Sequence, residues 1–519
     1  MGCSESRWSV PTAVSLIDRH DVDLDEFGTL LKERGPSFTF RIDGHFYTSS
    51  PFAMSIAAAP GVWVLRHVAG RVFSVWPHLY DVMALAQWRH GCPPSSGEPV
   101  IALNSWVEKI IASAFVGLTA VLLYLIAASR VSQPAAVALA LTFAFATSAW
   151  STASRSLWQH GPSMFLLALA LLLQERRRSP LLIGLALASA CAIRPTNLIP
   201  LTLGVSWILW QEPRRSVAFA AGAAAVLVPF LIVNQHVCGE LTPCYFPTSF
   251  HGNPFFAEAL AGNLASPGRG LFVYSPVFIF VIVGGALRIA QRRIVPLEVF
   301  AAGVVLLHWI VVARVNATWW AGDSYGPRLF ADVLPYLVYL LLPVIEWIEE
   351  RAAPMRRFAL VAFSASVAVG IAMHAQGVLN AAAISWNHEP TSIDDDLDRL
   401  WDWRRPPFLA GFVTPAPAPK PPDFAAVACT HVPGVPQDLA VVSNRARVVV
   451  LQWTTVSDAV LYIVESGASP DTLDAPTRET PTTTMRFGHV PPGSYFARVR
   501  SRNGCGVSPL SEALRVVVE

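Results

Sequence analysis

Residues 175–215 read ERRRSPLLIGLALASACAIRPTNLIPLTLGVSWILWQEPRR. Two apolar blocks, 180–193 and 196–210, meet at Arg194–Pro195. Arginines stand at the far ends, with Arg176, Arg177 and Arg178 before the first block and Arg214 and Arg215 after the second. Lys and Arg concentrate in the cytoplasmic loops of membrane proteins. The stretch therefore reads as a helical hairpin whose ends face the cytoplasm and whose bend, carrying Arg194, faces outward.

The same pattern extends in both directions. Apolar blocks lie near 107–129, 134–152, 160–174, 180–193, 196–210, 216–235, 271–289, 295–313, 329–347 and 357–380. Crossing a bilayer core of roughly 30 Å takes about 20 apolar helical residues. The fold class is thus an α-helical polytopic membrane protein, with about ten transmembrane helices on that spacing. Composition agrees: of 519 residues 53% are hydrophobic and 14% charged, where soluble domains carry about 25% charged. A net charge of +2 gives no reason to expect a nucleic-acid partner.

Two further basic loops, Arg292 with Arg293 and Arg351 with Arg356 and Arg357, continue the cytoplasmic set. They alternate with loops at 154–161, 238–270 and 317–328, which are rich in Trp, Tyr, His, Gly and Pro and face outward. Parity then places residues 1–105, and everything beyond 380, outside. An outward N-terminus with no export signal calls for a further transmembrane segment upstream of Met1. Met1–Gly2 with Ser6 matches a myristoylation pattern, but that modification needs a cytoplasmic N-terminus. The apolar run 52–64, followed by Arg66 and His67, is short and reads as an interfacial helix, with a spanning helix as the lesser alternative.

Four regions follow. Residues 1–105 form an extracytoplasmic first loop with interfacial helices, and 106–380 the transmembrane helical domain. Residues 381–426 hold a short amphipathic surface helix, around Asp394, Asp395, Asp396, Asp398, Trp401 and Trp403, and a linker reading VTPAPAPKPPD at 413–423. Its prolines make that linker stiff and extended. Residues 427–519 form an all-β sandwich, with β-type runs at 447–452, 459–465, 483–487, 495–501 and 513–518 separated by turn residues.

None of the seven cysteines makes a CxxC or zinc spacing, and Cys191, inside an apolar block, reads as a small buried residue. The outward loops carry Arg155, Trp158, Gln159, His160, Arg194, His251, Arg269, Tyr274, Trp319, Trp320, Asp323, Tyr325 and Arg328. Charged groups near a bilayer are costly and tend to be functional. An interfacial belt of Trp and Tyr with snorkelling Arg is the competing account of any single one.

The C-terminal segment resembles a fibronectin type III domain. Pro436 and Leu439 match its first strand, Trp453 the second and Tyr462 the third; Tyr495, Ala497 and Val499 alternate inward on the sixth, and Asn503, Gly504 and Ser508 follow. In that sandwich Cys429, before the first strand, and Cys505, after the sixth, share one end. The resemblance implies a disulfide between them in an oxidising compartment.

Residues 4–350 resemble the GT-C superfamily of glycosyltransferases that use lipid-linked sugars, which includes the aminoarabinose transferases and the protein O-mannosyltransferases. Glu5, Arg7 with Trp8, Gly44, Tyr47 and Pro51 follow the order of that superfamily's first outer loop. GPRLFADVLPYLVYLL at 326–341 is similar to its late Arg-aromatic element, and Arg194–Pro195 to an outer helix break. Ser4 stands where the superfamily usually has its first acidic residue, unless Glu5 fills that place.

The resemblance implies a polyprenyl-phosphate sugar donor, membrane lipid around it, and an extracytoplasmic glycan, lipid or protein acceptor. It implies Glu5 as catalytic base, with Asp21, Asp23 and Asp25 as the alternative source of the carboxylate. Arg7, Arg194, Arg269 and Arg328 become phosphate ligands. Tyr274, Trp319, Trp320 and Asp323 become the lining of the sugar pocket, and His45, Tyr47, Arg155 and His160 further substrate-binding residues. Some members need a divalent metal and others do not, so none is assigned. The expected location is a bacterial inner or plasma membrane, with the C-terminal domain outside the cytoplasm.

Two other readings compete. A transporter or lipid flippase would show inverted repeats and paired broken helices; no repeat is visible, and the polar residues cluster at one face. An inactive membrane protein displaying an adhesion or binding domain fits the altered acidic pair, but an anchor needs one helix rather than a bundle.

Overall fold

A computed structural model describes residues 5–34, 38–89, 94–95, 97–244, 253, 255–315, 318–394, 396–414, 430–445, 448–470, 473, 477–487, 490 and 493–518. The first region is organised by one apolar seam. A 3-10 turn at Glu5–Trp8 leads into α1 (Ser9–Asp18), whose Val10, Ala13 and Val14 pack with Met54, Ala58 and Val62 of α3 (Phe52–Val75). Between them lie α2 (Gly28–Arg34) and a hairpin of β1 (Thr39–Ile42) and β2 (His45–Thr48). Its two-residue turn, Asp43–Gly44, has both residues at positive φ, as the twist of a tight hairpin requires.

The helix expected at 52–64 runs on to Val75, which makes it long and apolar enough to cross a membrane. Arg66 does not stop it, because the guanidinium bonds Asp18 at the end of α1 (2.6 Å) and Glu98 (2.8 Å). Glu98 directly precedes α5 (Pro99–Ala102), and a Cβ on Gly61 would lie 3.1 Å from Ile111 of α6 (Asn104–Ala127). These contacts fix the middle of α3 to the head of α6. Helix α4 (Pro77–Arg89) lies between the two.

All ten apolar blocks are helical. After α6 come α7 (Gln133–Phe145), a π turn (Ala149–Ala153), α8 (His160–Glu175), α9 (Pro180–Ile193), α10 (Leu198–Gln211), α11 (Ser216–Cys238), α12 (Phe256–Ala265) and α13 (Leu271–Tyr274). Then follow α14 (Ile279–Ala290), α15 (Pro296–Val315), a 3-10 turn (Arg328–Val333), α16 (Leu334–Tyr339), α17 (Leu342–Glu349) and α18 (Ala353–Leu379). Among the described residues six helices are long and apolar enough to span a membrane: Phe52–Val75, Asn104–Ala127, Pro213–Cys238, Pro296–Val315, Arg328–Glu349 and Ala353–Leu379. Gln133–Phe145, Pro180–Ile193 and Pro276–Ala290 are apolar but shorter. Val217, Val228, Ile232, Phe358, Val361 and Leu379 stand exposed on α11 and α18. So much apolar surface without protein against it needs an apolar solvent. The protein is a helical membrane protein with a C-terminal β domain.

Helices α9 and α11 approach closely through glycine. A Cβ on Gly222 would fall 2.0 Å from the Leu181 carbonyl oxygen, and one on Gly184 2.2 Å from that of Phe219. Small residues permit such contact between membrane helices.

Polar contacts sort the helix ends into two faces. At the arginine-rich end Arg130 and Arg288 each bond both Glu298 and Glu346, at 2.5–2.9 Å. Tyr339 joins them, donating to Glu175 (2.8 Å) and accepting from Arg130 (3.0 Å). At the opposite end Cys238 and Cys244 form a disulfide, and Asn253 donates to the Ala313 carbonyl (2.9 Å). Arg130, Glu175, Arg288, Glu298 and Glu346 thus gather at one end of the bundle.

Among the described residues of 381–410 the expected single surface helix is absent. A short α19 (Ala382–Ser385) is followed by 3-10 turns at Leu397–Trp401 and Pro407–Leu409. Prolines 390, 406 and 407 interrupt any longer helix, and Arg399 gathers the segment instead. Its guanidinium donates to the carbonyls of Thr391 (2.6 Å), Glu389 (2.7 Å) and Trp386 and stacks on the Trp386 ring at 4.4 Å.

The β domain has two sheets. One orders β3 (Ala440–Arg445), β4 (Val448–Gln452) and β7 (Thr484–Phe487). The other orders β10 (Leu514–Val518), β8 (Gly493–Asn503), β5 (Leu461–Gly467) and β6 (Arg478–Thr480), with β9 (Gly506–Val507) on β8. Ala497 and Val499 of β8 face the core with Val449, Leu451, Trp453, Tyr462, Val464, Val516 and Val518. Cys505 is disulfide-bonded; Cys429, its expected partner, lies outside the described residues. Arg486, on β7, reaches the bundle, with its guanidinium 4.8 Å from the Phe255 ring centroid and 5.4 Å from that of Trp320.

Candidate functional site

Residues 154–159 connect the π turn to α8. They meet four other elements at the end of the bundle opposite the Arg130–Glu298–Glu346 network: the Glu5–Trp8 turn, the head of α6, the break after α9 and the 3-10 turn opened by Arg328.

Glu108, a little over one turn into α6, is buried. It accepts from the hydroxyl of Ser6, from Ser156 Oγ (2.9 Å), from the Leu157 N–H (3.3 Å) and from Asn104 Nδ2 (3.1 Å). Asn104 Nδ2 also donates to the Arg7 carbonyl (2.8 Å). One carboxylate thus ties the N-terminal turn to the 154–159 loop. Lys109 follows, 5.2 Å from the Trp106 ring centroid and close enough to Arg155 for the two charges to repel. Arg155 is half-buried, and burial works against its charge by lowering its pKa. Neither cation makes an ion pair among the described residues.

Helix α9 stops at Ile193 because Pro195 follows, and a proline pushes its predecessor to extended backbone. Arg194 is accordingly at φ −142°, ψ 108°. Asn197 secures the break by donating to Ser163 Oγ (2.7 Å) and the Ala190 carbonyl (3.0 Å). Arg194 pairs through Nε with Asp332, and its Nη1 lies 3.4 Å from Gln159 Oε1. Asp332 is fully buried and also lies 3.1 Å from His160 Nδ1. Arg328 stacks 4.0 Å above the Trp158 ring.

Around one loop, then, Arg7, Lys109, Arg155, Arg194 and Arg328 face two described carboxylates, Glu108 and Asp332. Positive charge in surplus, partly withdrawn from water, is an arrangement for holding an anion, and the planar guanidinium suits a phosphate.

Of the residues singled out from sequence, Arg7, Arg155, His160, Arg194 and Arg328 converge here. Glu5 opens the same first turn, but its side chain lies outside the described residues, as does His251. Glu108, Lys109 and Asp332 were missed. The available signal was a charge inside an otherwise apolar block.

Other candidates lie elsewhere. Asp21 accepts from Ser15 and sits 3.6 Å from Arg19, Asp23 caps the Asp25 N–H (3.1 Å), and Asp25 pairs with His45 (2.5 Å) and accepts from Phe46 N (3.0 Å). Tyr47 bridges to Asp23. None of these acids bonds Arg194 or Arg328. Asp23, Asp25 and His45, and likewise Asp21, Asp23 and Glu26, bring ligand atoms within 4.8 Å of one another. Within the first group Asp25 and His45 bond each other, and Asp23 caps a backbone N–H.

Arg269 is buried, and its N–H groups are spent on the carbonyls of Trp320 (2.7 Å), Gly268 (2.9 Å) and Gly322 (3.1 Å) and on Asn387 Oδ1 (2.7 Å), bonds that clasp the loops together. Tyr274, expected in the sugar pocket, is also buried, with its hydroxyl donating to Pro267 (3.1 Å) and Gly268 (3.0 Å) carbonyls. Trp319 packs on Gly262, and Trp320 donates to Asp394 (2.7 Å), so both are core residues. Asp323 is exposed, 3.5 Å from His388.

No protein-family model and no curated protein matches the sequence. Among solved structures the chain is similar to ArnT from Cupriavidus metallidurans, crystallised bound to undecaprenyl phosphate. Identity is 15% and the TM-score 0.44, over 73% of this chain and 62% of that one, so the chain spans under two thirds of that structure's length.

Proposed function

We propose that the protein is a membrane glycosyltransferase of the GT-C kind, moving a sugar from a polyprenyl-phosphate donor to an acceptor outside the cytoplasm. The observation that carries this reading is the surplus of half-buried cations around residues 154–159, at one end of a membrane bundle. Lys109, Arg155, Arg194 and Arg328 hold the donor phosphate at the interface. In transfer the acceptor oxygen attacks the anomeric carbon, the bond from that carbon to the phosphate oxygen breaks, and the polyprenyl phosphate departs with the bonding electrons. The cations stabilise the charge that gathers on the leaving phosphate, and they do so more strongly where water is excluded. Glu5, two residues from Arg7 on the same turn, takes the acceptor's proton as general base.

The arginine-rich end lies in the cytoplasm, and the disulfide end and β domain outside it, where an oxidising compartment permits Cys238–Cys244. The three- and five-stranded sheets, with Trp453, Tyr462 and Val499 in the core, support a fibronectin type III-like domain that presents or recognises the acceptor.

The test is mass spectrometry of surface glycans and glycoproteins from cells with the gene, without it, and with the Glu5→Gln variant at equal protein level. A sugar modification should vanish with the gene and stay absent in the variant. An unchanged glycan profile on deletion would overturn the proposal, and full activity of Glu5→Gln would remove Glu5 as base.

A further inference from the structure

Asp332 was not among the residues the sequence marked for function. It is fully buried on the 3-10 turn Arg328–Val333, at the end of the bundle where the cations gather. From its geometry we infer that Asp332 is a positioning residue, which aims the guanidinium of Arg194 at the ligand phosphate. This inference rests on the phosphate-binding reading of the site.

Arg194 projects from an extended residue between two helices, so its own backbone does not fix its head. Asp332 grips Nε, and Gln159 Oε1 lies 3.4 Å from Nη1. Nη2 has no partner among the described residues. The Arg194 side chain keeps 17% of its surface exposed while that of Asp332 keeps none. The carboxylate therefore holds the guanidinium from the protein side and leaves its outer edge for a ligand.

Asp332 is itself held from two directions. His160 Nδ1, on the first turn of α8, lies 3.1 Å from Oδ1. The 3-10 turn is pinned where His308 Nε2 meets the Leu329 carbonyl at 2.8 Å. Arg328 opens that turn four residues before Asp332. One rigid turn thus supplies a cation of the site and the carboxylate that orients another. A buried ion pair gives little net stability, so aiming is the contribution that distinguishes this one.

Electrostatics alone predicts the opposite sign. If Asp332 only neutralised Arg194, its removal would strengthen anion binding; if it aims Arg194, removal weakens it. The experiment titrates undecaprenyl phosphate onto the full chain in nanodiscs, for the native protein, Asp332→Asn, Arg194→Gln and the double variant. Each single variant should bind about tenfold more weakly, the loss of one well-placed charge-assisted bond. The double variant should bind no more weakly than Arg194→Gln alone, because Asp332 acts through Arg194. Asp332→Asn binding as tightly as the native protein or more so, or effects that add in the double variant, would overturn the inference while leaving the phosphate site intact. Native protein that does not bind the probe overturns the site reading and this inference together. Should Asp332→Asn fail to fold, Asp332→Glu keeps the charge and displaces it by one methylene, and it is judged by the same outcomes.

Discussion

Glu108→Gln is the sharpest probe of how the site is assembled. The native carboxylate accepts from two hydroxyls, a backbone N–H and an amide, joining Ser6, Ser156, Leu157 and Asn104. Glutamine preserves the shape but turns an NH2 toward groups that must donate. Hydrogen bonds to a charged group contribute about 1.5–3 kcal/mol each, against about 0.5–1.5 for neutral ones. Four bonds weakened by about 1 kcal/mol each give an upper figure of about 4 kcal/mol, and because they share one acceptor the losses do not add fully. A local loss of about 3 kcal/mol is the expectation, or an opening equilibrium about a hundredfold larger. Hydrogen exchange followed by mass spectrometry should then show residues 5–18 and 154–159 exchanging about a hundredfold faster, with the α9–α11 pair unchanged. Exchange within about twofold of native at those segments would refute the hub. A loss spread evenly over the bundle would make Glu108 a residue of general stability instead.

Other expectations follow from particular contacts. The hydrogen bond and charge of Asp25 raise the pKa of His45 above its usual value; for Asp25, burial works upward but the Phe46 N–H and His45 outweigh it and hold the carboxyl low. The His45 contribution is therefore complete below about pH 6.5 and fades as pH rises through its raised pKa, while that of Asp25 fades in acid. An NMR titration should find His45 above about 6.5 in the native protein and nearer that value in Asp25→Asn; identical midpoints would dismiss the pair. Gly222→Val should part α9 from α11, since even a Cβ there would meet the Leu181 carbonyl at 2.0 Å, and thermal unfolding in detergent should come markedly earlier; an unshifted melt contradicts that packing. Protease added to intact spheroplasts should remove the β domain, and cleavage only after lysis would invert the proposed orientation.

The helices were legible because a spanning segment is a long, averaged signal. Each block survives errors of a few residues, and arginines at alternate loops fix the order of the ends. Local detail was less so. The helix beginning at Phe52 was cut short at Arg66, because an arginine reads as an end until Asp18 and Glu98 are seen to receive it. A helix was expected within 381–410, where Pro390, Pro406 and Pro407 and the Arg399 clasp make turns instead.

In the site, residues of outward loops were recognisable as a class, but their division was not. Arg269 and Arg194 look alike in sequence; only burial against four protein acceptors separates a clasp from a residue with an exposed edge. Glu108, Lys109 and Asp332 sit inside apolar blocks, where the hydropathy pattern hides them, and not in the outward loops that supply the other candidates.

The central claim is that the cations around residues 154–159 hold a lipid-linked phosphate. Its most direct test compares binding of undecaprenyl phosphate and of the uncharged polyprenol to the full chain in nanodiscs, for the native protein, Lys109→Gln and Arg155→Gln. The phosphate should bind far more tightly than the alcohol, each variant should lose about tenfold for the phosphate alone, and rising salt should weaken only the phosphate complex. Equal binding of phosphate and alcohol, or full phosphate affinity in both variants, would contradict the account.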